Sequence, residues 1–258
     1  MSVLPLASPT PQLHGHGGLG RTASWDSSRV PVIFRRLTRF HQMDFELAAW
    51  QLTYLCLAPK RVYKNVYFHK QTKNTWARDD PAILILVAAC LTVSALAWSV
   101  VYSYSPFEAL QLALLMILRD YLLVGIVLAT IMWFFANRVL VSPPSHAAPS
   151  DSVVEWAYAF DVHTNAFFPF YLTLYLAQLF LVPVILKDKW ICLFISNTLY
   201  LAAFAQYIYG IYLGLNALPF LIRSELLLAP LLPLFAAYIV SLIGFNVAKF
   251  VLPLYFGS

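Results

Sequence analysis

The sequence predicts an all-α polytopic membrane bundle: five transmembrane helices behind a cytosolic, amphipathic and basic helical region. Three observations carry this expectation. The 258 residues are 60% hydrophobic and 11% charged, where a soluble domain carries about a quarter charged residues. The apolar residues gather into runs of about 20 or more, enough to cross a hydrocarbon core of roughly 30 Å. The charge is also lopsided: residues 1–81 hold 11 of the 17 Lys and Arg but 5 of the 12 Asp and Glu, so this segment carries +6 against +5 for the whole chain.

Residues 1–30 are rich in Pro, Gly and Ser and read as a disordered tail. They contain no apolar core of signal-peptide length, so insertion is expected to be led by the first true span. His14 and His16 do not complete a metal-ligand set, and Arg21 to Ser24 matches a basophilic kinase site only over a length at which chance matches are common. In residues 31–42, Ile33, Phe34, Leu37 and Phe40 follow helical spacing, with Arg35, Arg36 and Arg39 on the other side. Such a helix lies on an anionic leaflet or packs on the protein's own cytosolic face. Asp44 to Leu57 reads as a short helix with Asp44 as N-cap, interrupted at Pro59. The stretch that follows interleaves Lys60, Arg61, Lys64, Lys70, Lys73 and Arg78 with Tyr63, Tyr67, Phe68 and Trp76, and closes on Asp80-Pro81, a cap and first-turn pair. Basic and aromatic side chains beside a span suit lipid headgroups or a docked protein, and the same mixture suits single-stranded RNA through stacking and phosphate pairing.

The spans follow in order: 82–104, 110–135, 166–186, 190–215 and 226–248, so that 1–30 is tail, 31–81 the cytosolic region and 82–258 the membrane domain. Pro169 and Pro183 in the third span and Pro230 and Pro233 in the fifth predict kinks. With the N-terminus in the cytosol, the tail and the 136–165 and 216–225 loops place 13 Lys and Arg on the cytosolic side against 3 opposite, the bias of the positive-inside rule. The C-terminus then faces the lumen. The order inverts after residue 135 if Arg119 and Asp120 prevent the second span from crossing.

Arg119 and Asp120 are the charges well inside a span, where each costs about 2.5–3.5 kcal/mol at the membrane centre. Asp120 is either a buried proton or cation site or a structural hydrogen-bond acceptor for Asn197, Gln206 or Tyr200 of the fourth span. Neighbouring residues point about 100° apart on a helix, so Arg119 and Asp120 are expected not to share a partner. Asp161, His163 and Glu155, before the third span, read as a polar cap or as an acid–base or metal site, although no HExxH or CxxC accompanies them. Gly210 and Gly214 form a GxxxG ridge that admits another helix of this chain or a second copy. Cys56, Cys90 and Cys192 lack metal or disulfide spacing.

One stretch is too specific for composition. KRVYKNVYFHKQTKNTWARDDPA, Lys60 to Ala82, closely resembles the uncoordinated-50 family of Golgi membrane proteins. IVLATIMWFFAN (Ile126 to Asn137), VEWAYAFDVHTNAFFPF (Val154 to Phe170) and YIYGIYLGLNALPFL (Tyr207 to Leu221) resemble it in matching order. Arg119 departs from the family pattern, which has an apolar residue there. The resemblance implies five spans, a Golgi or ER–Golgi location and a role in vesicle trafficking and membrane protein transport. It implies association with a large Arf guanine-nucleotide exchange factor, transport of receptor-channel cargo, and no catalytic residues, cofactor or metal. RNA binding at the inner nuclear membrane is also attached to the family. The leading expectation is therefore a non-enzymatic protein that presents Lys60, Arg61, Tyr63, Lys64, Tyr67, Lys70, Lys73 and Arg78 to an exchange factor or anionic lipid. The competing expectations are a transporter or lipid-modifying enzyme using Asp120, Asp161 and His163, and an RNA-binding protein. The sequence leaves the oligomeric state open.

Overall fold

The computed structural model describes residues 43–73, 75–141 and 153–257, excepting the side chains of 66–69, 72 and 73. The tail over 1–30 and the amphipathic helix over 31–42 lie outside the described residues. Helices α1 (Phe45–Leu57) and α2 (Pro59–Lys73) precede α3 (Ala82–Val101), α4 (Pro106–Leu140), α5 (Trp156–Ile185) and α6 (Trp190–Asn216). A 3-10 stretch, Ser224–Leu228, then leads into α7 (Leu231–Ser241) and α8 (Val247–Phe256). Among the described residues the one extended feature is an isolated bridge between Val141 and Leu221. The spans α3 to α6 and the stretch Ser224–Ser241 are five helices long and apolar enough to cross a membrane.

Local chemistry sets the ends of these helices. The Asp44 side chain caps α1, accepting from the Leu47 amide at 2.8 Å. Pro59 opens α2, where its missing N–H and fixed φ are tolerated. Asp80 caps from one residue outside α3: one oxygen accepts from the Ala82 amide at 3.0 Å and the other from the Asp44 amide at 2.9 Å, tying the starts of α1 and α3 together. Ser105 and Glu108 form a capping box at α4, with Pro106 in its first turn.

Three spans differ from their sequence-derived bounds by more than a turn. The second runs over Pro106–Leu140, where 110–135 was expected. The third begins at Trp156, not Ala166, because Asp161, His163 and Asn165 are helical and buried, not loop residues. Their polarity suggested solvent, but their partners lie on other helices. The fifth ends at Ser241, not Ala248: Gly244 turns the chain at φ +149°, a region that favours glycine. Asn246 then caps α8, accepting from the Lys249 amide at 3.3 Å. Pro230 and Pro233 accordingly mark the start of α7 and do not kink its middle. The second span passes through Arg119 and Asp120 without a break, as a π-helical stretch from Met116 to Leu123. In α5 a second π-helical stretch, Leu172–Ala177, follows Pro169; the Thr173 hydroxyl donates to the Pro169 carbonyl at 3.0 Å.

Helix α5 is the central element, packed most extensively on α6 and α4. Association in a bilayer rests on close van der Waals packing, which small residues permit. A Cβ on Gly210 would stand 2.9 Å from the Ala166 Cβ, and one on Gly214 would stand 2.6 Å from Val162 Cγ1. The GxxxG ridge is therefore filled by α5 of the same chain. Gly214→Val is expected to cost roughly 1–3 kcal/mol through overpacking; thermal unfolding in detergent reads this as a lowered midpoint.

Candidate functional site

The basic and aromatic stretch divides by helix face. On α2, Val62 and Tyr63 are buried, while Lys60, Arg61 and Lys64 are exposed. The Tyr63 hydroxyl donates to the Gly210 carbonyl at 3.1 Å. Burial pushes its phenol pKa well above the usual range, so it remains a neutral donor. The Arg61 guanidinium lies 5.6 Å from the centroid of the Tyr54 ring, and the Lys70 ammonium 5.4 Å from that of Trp76. Among the described residues no carboxylate pairs with Lys60, Arg61 or Lys64. Tyr67 and Lys73 belong to α2, but their side chains lie outside the described ones.

Beyond α2 the chain is clasped by carboxylates near the start of α5. Glu155 accepts from the Trp76 amide at 3.1 Å and from the Ala77 amide at 3.2 Å. Asp161 accepts from the Arg78 amide at 2.6 Å, and Arg78 Nε stands 3.9 Å from the same carboxylate oxygen. The Arg78 guanidinium donates to Gln51 Oε1 at 3.1 Å and also to Asn165 Oδ1, joining α1 to α5. Trp76 is buried against Tyr158 and Phe220. Tyr63 and Arg78, expected on a docking surface, each meet an acceptor on another helix: Tyr63 is buried and bonds the Gly210 carbonyl, and Arg78 is half-buried and bonds Gln51 and Asn165. Among the described side chains the exposed cations of α2 are Lys60, Arg61 and Lys64.

Inside the spans, Asp120 does not bond Asn197, Gln206 or Tyr200. Its carboxylate accepts from Arg119 Nε at 2.7 Å, from the Tyr175 hydroxyl at 3.0 Å and from the Tyr255 hydroxyl. Arg119 and Asp120 do share a partner, since the Arg119 guanidinium lies 4.9 Å from the centroid of the Tyr255 ring. Asn197 instead donates to Ser241 Oγ and the Phe245 carbonyl and accepts from the Val247 amide, holding the turn between α7 and α8. Gln206 accepts from the Thr173 hydroxyl at 3.1 Å, and Tyr200 accepts from Gln178 at 2.8 Å.

Asp161 and His163 do not form one site. Asp161 meets Arg78, whereas His163 bonds the Tyr207 hydroxyl through Nδ1 at 2.7 Å and the Tyr121 carbonyl through Nε2 at 3.2 Å. His163 and Asp120 line a common cavity of about 230 Å³. Among the described residues no group of three His, Cys, Asp or Glu is placed to hold a metal. Sequence reasoning missed Tyr121, Tyr175, Tyr207 and Tyr255. The available signal was their occurrence inside apolar helices, where a buried phenol must find a partner. Arg78→Ala is expected to cost roughly 1–3 kcal/mol by leaving the Asn165 and Gln51 acceptors unmet; thermal unfolding and cleavage within 74–81 under limited proteolysis check it, and Lys60→Ala should change neither.

A model of the UNC-50 family matches residues 33–256. The chain is 44% identical over 252 residues to the protein unc-50 homologues of Mus musculus and Homo sapiens, covering 95% of this chain and 95% of each relative. It is 41% identical over 224 residues to the protein GMH1 homologue of Schizosaccharomyces pombe, covering 86% of this chain and 95% of the relative. No solved structure matches it.

Proposed function

We propose that this chain, which belongs to the UNC-50 family, is a non-enzymatic multipass protein of Golgi and ER–Golgi membranes that supports vesicle trafficking and membrane protein transport. Its N-terminus lies in the cytosol and its C-terminus in the lumen. The working surface is the cationic edge of α2, presented to a large Arf exchange factor or to anionic lipid. One observation supports this most strongly: Lys60, Arg61 and Lys64 are exposed on a helix whose other face is pinned to the bundle through Val62 and Tyr63. An edge held in this way offers fixed positive charge without the ordering cost of a loose segment. The orientation rests on the 13 against 3 distribution of Lys and Arg.

The transporter or lipid-enzyme reading draws on the cavity shared by Asp120 and His163. Against it, Asp120 is already compensated by Arg119, Tyr175 and Tyr255, and Asp161 faces Arg78. The RNA-binding reading needs stacking rings beside the cations; among the described side chains Trp76 is buried and Tyr54 half-buried.

Reversing Lys60, Arg61 and Lys64 to Glu is expected to leave membrane insertion unchanged. Each basic group contributes on the order of 1 kcal/mol at an anionic surface, so association with the exchange factor or with anionic vesicles should fall by about 100-fold or more. Normal recovery of an Arf exchange factor by that variant would contradict the proposal, and crosslinking of RNA to peptide 60–78 would point to the RNA reading instead.

A further inference from the structure

The cavity between α4, α5, α6 and α8 has an unusual hydrogen-bonding inventory. Its walls are mostly aromatic, with Phe167, Phe170 and Phe204 beside three tyrosine rings. Its polar members are Asp120, His163, Tyr175, Tyr207 and Tyr255. Every donor hydrogen on these groups is committed. The Tyr175 and Tyr255 hydroxyls both donate to Asp120. A carbonyl oxygen only accepts, so His163 Nε2 carries the proton shared with Tyr121; in the neutral ring Nδ1 then accepts from the Tyr207 hydroxyl. What remains available is acceptor capacity: a second lone pair on the Tyr175 and Tyr207 oxygens and unused carboxylate capacity on Asp120. Aromatic faces add negative potential.

The mouth is apolar. Val124 and Phe204 line the cavity and are each 41% exposed on membrane-spanning helices. Access is therefore from the hydrocarbon side. Two π-helical stretches border the space, one carrying Asp120 and the other Tyr175; such insertions recur at functional sites.

From this acceptor-only lining we infer that the cavity binds an amphiphile whose small head donates hydrogen bonds, a long-chain alcohol or amine, with its tail in the bilayer. This site is separate from the α2 edge, and neither depends on the other. The test uses full-length protein in lipid nanodiscs with three photoactivatable probes of one chain length: the alcohol, the primary amine, and the methyl ether of the alcohol, which accepts but cannot donate. Alcohol and amine are expected to label α4, α5 and α6 around Val124, Phe170 and Phe204, about tenfold above the ether, the worth of a net hydrogen bond. An excess of amine over alcohol assigns the head to the Asp120 carboxylate and the ring faces; an excess of alcohol assigns it to the phenol oxygens. Leu128→Trp, which fills the space from its apolar wall, should abolish the labelling. Equal labelling by the ether, diffuse labelling without preference for these positions, or undiminished labelling of folded Leu128→Trp would each overturn the inference. The ether comparison is made on the unmodified chain and does not depend on how the variant folds.

Discussion

The structure depends on two carboxylates reaching from the start of α5 to the backbone of the segment between α2 and α3. Glu155 holds the Trp76 and Ala77 amides and Asp161 holds the Arg78 amide. Three successive amides of a segment without helix or strand thereby gain acceptors they would otherwise lack, and buried amides cannot be left unpaired cheaply. The Arg78 side chain extends the clasp to α1 through Gln51 and to the next turn of α5 through Asn165. Because α5 is also the helix against which α4 and α6 pack, the outer helices are fixed to the core of the bundle.

From this follows a separation of polar chemistry into two places. Outside, the clasp and the Tyr63 anchor turn one face of α2 inward, so the three cations on its other face hold constant positions relative to the membrane domain. Within the spans, polar groups satisfy one another in small sets: Arg119 and Asp120 with Tyr175 and Tyr255, His163 with Tyr121 and Tyr207, Asn197 with the turn before α8. Phenol hydroxyls of Tyr175, Tyr255 and Tyr207 meet the two titratable side chains Asp120 and His163. They bring a donor at the end of a large apolar body, which suits a span better than a second charge would.

The helical bundle and its five crossings were legible because charge-poor runs of sufficient length have few other outcomes. The beginning of α5 was not. Asp161, His163 and Asn165 read as a loop because their compensating partners, Arg78, Tyr207 and Tyr121, lie more than 40 residues away in sequence. The break at Gly244 was equally hidden, since nearly every residue around it is apolar and only the positive-φ turn and the Asn246 cap separate two helices. For the candidate site, Lys60, Arg61 and Lys64 were read as one surface with Tyr63 and Arg78, whereas Tyr63 is buried and Arg78 half-buried between helices. Composition marks a stretch as basic and aromatic; only packing decides which of those side chains meet a buried acceptor.

Backbone amide hydrogen exchange across residues 75–79 tests the clasp most directly, in the protein as it stands and in the Glu155→Ala, Asp161→Ala double variant. The amides of Trp76, Ala77 and Arg78 are expected to exchange slowly in the first and to approach unstructured rates in the second, while α3 stays protected in both. Fast exchange of these three amides in the unmodified protein would contradict the account, because the α2 edge would then have no fixed relation to the membrane domain.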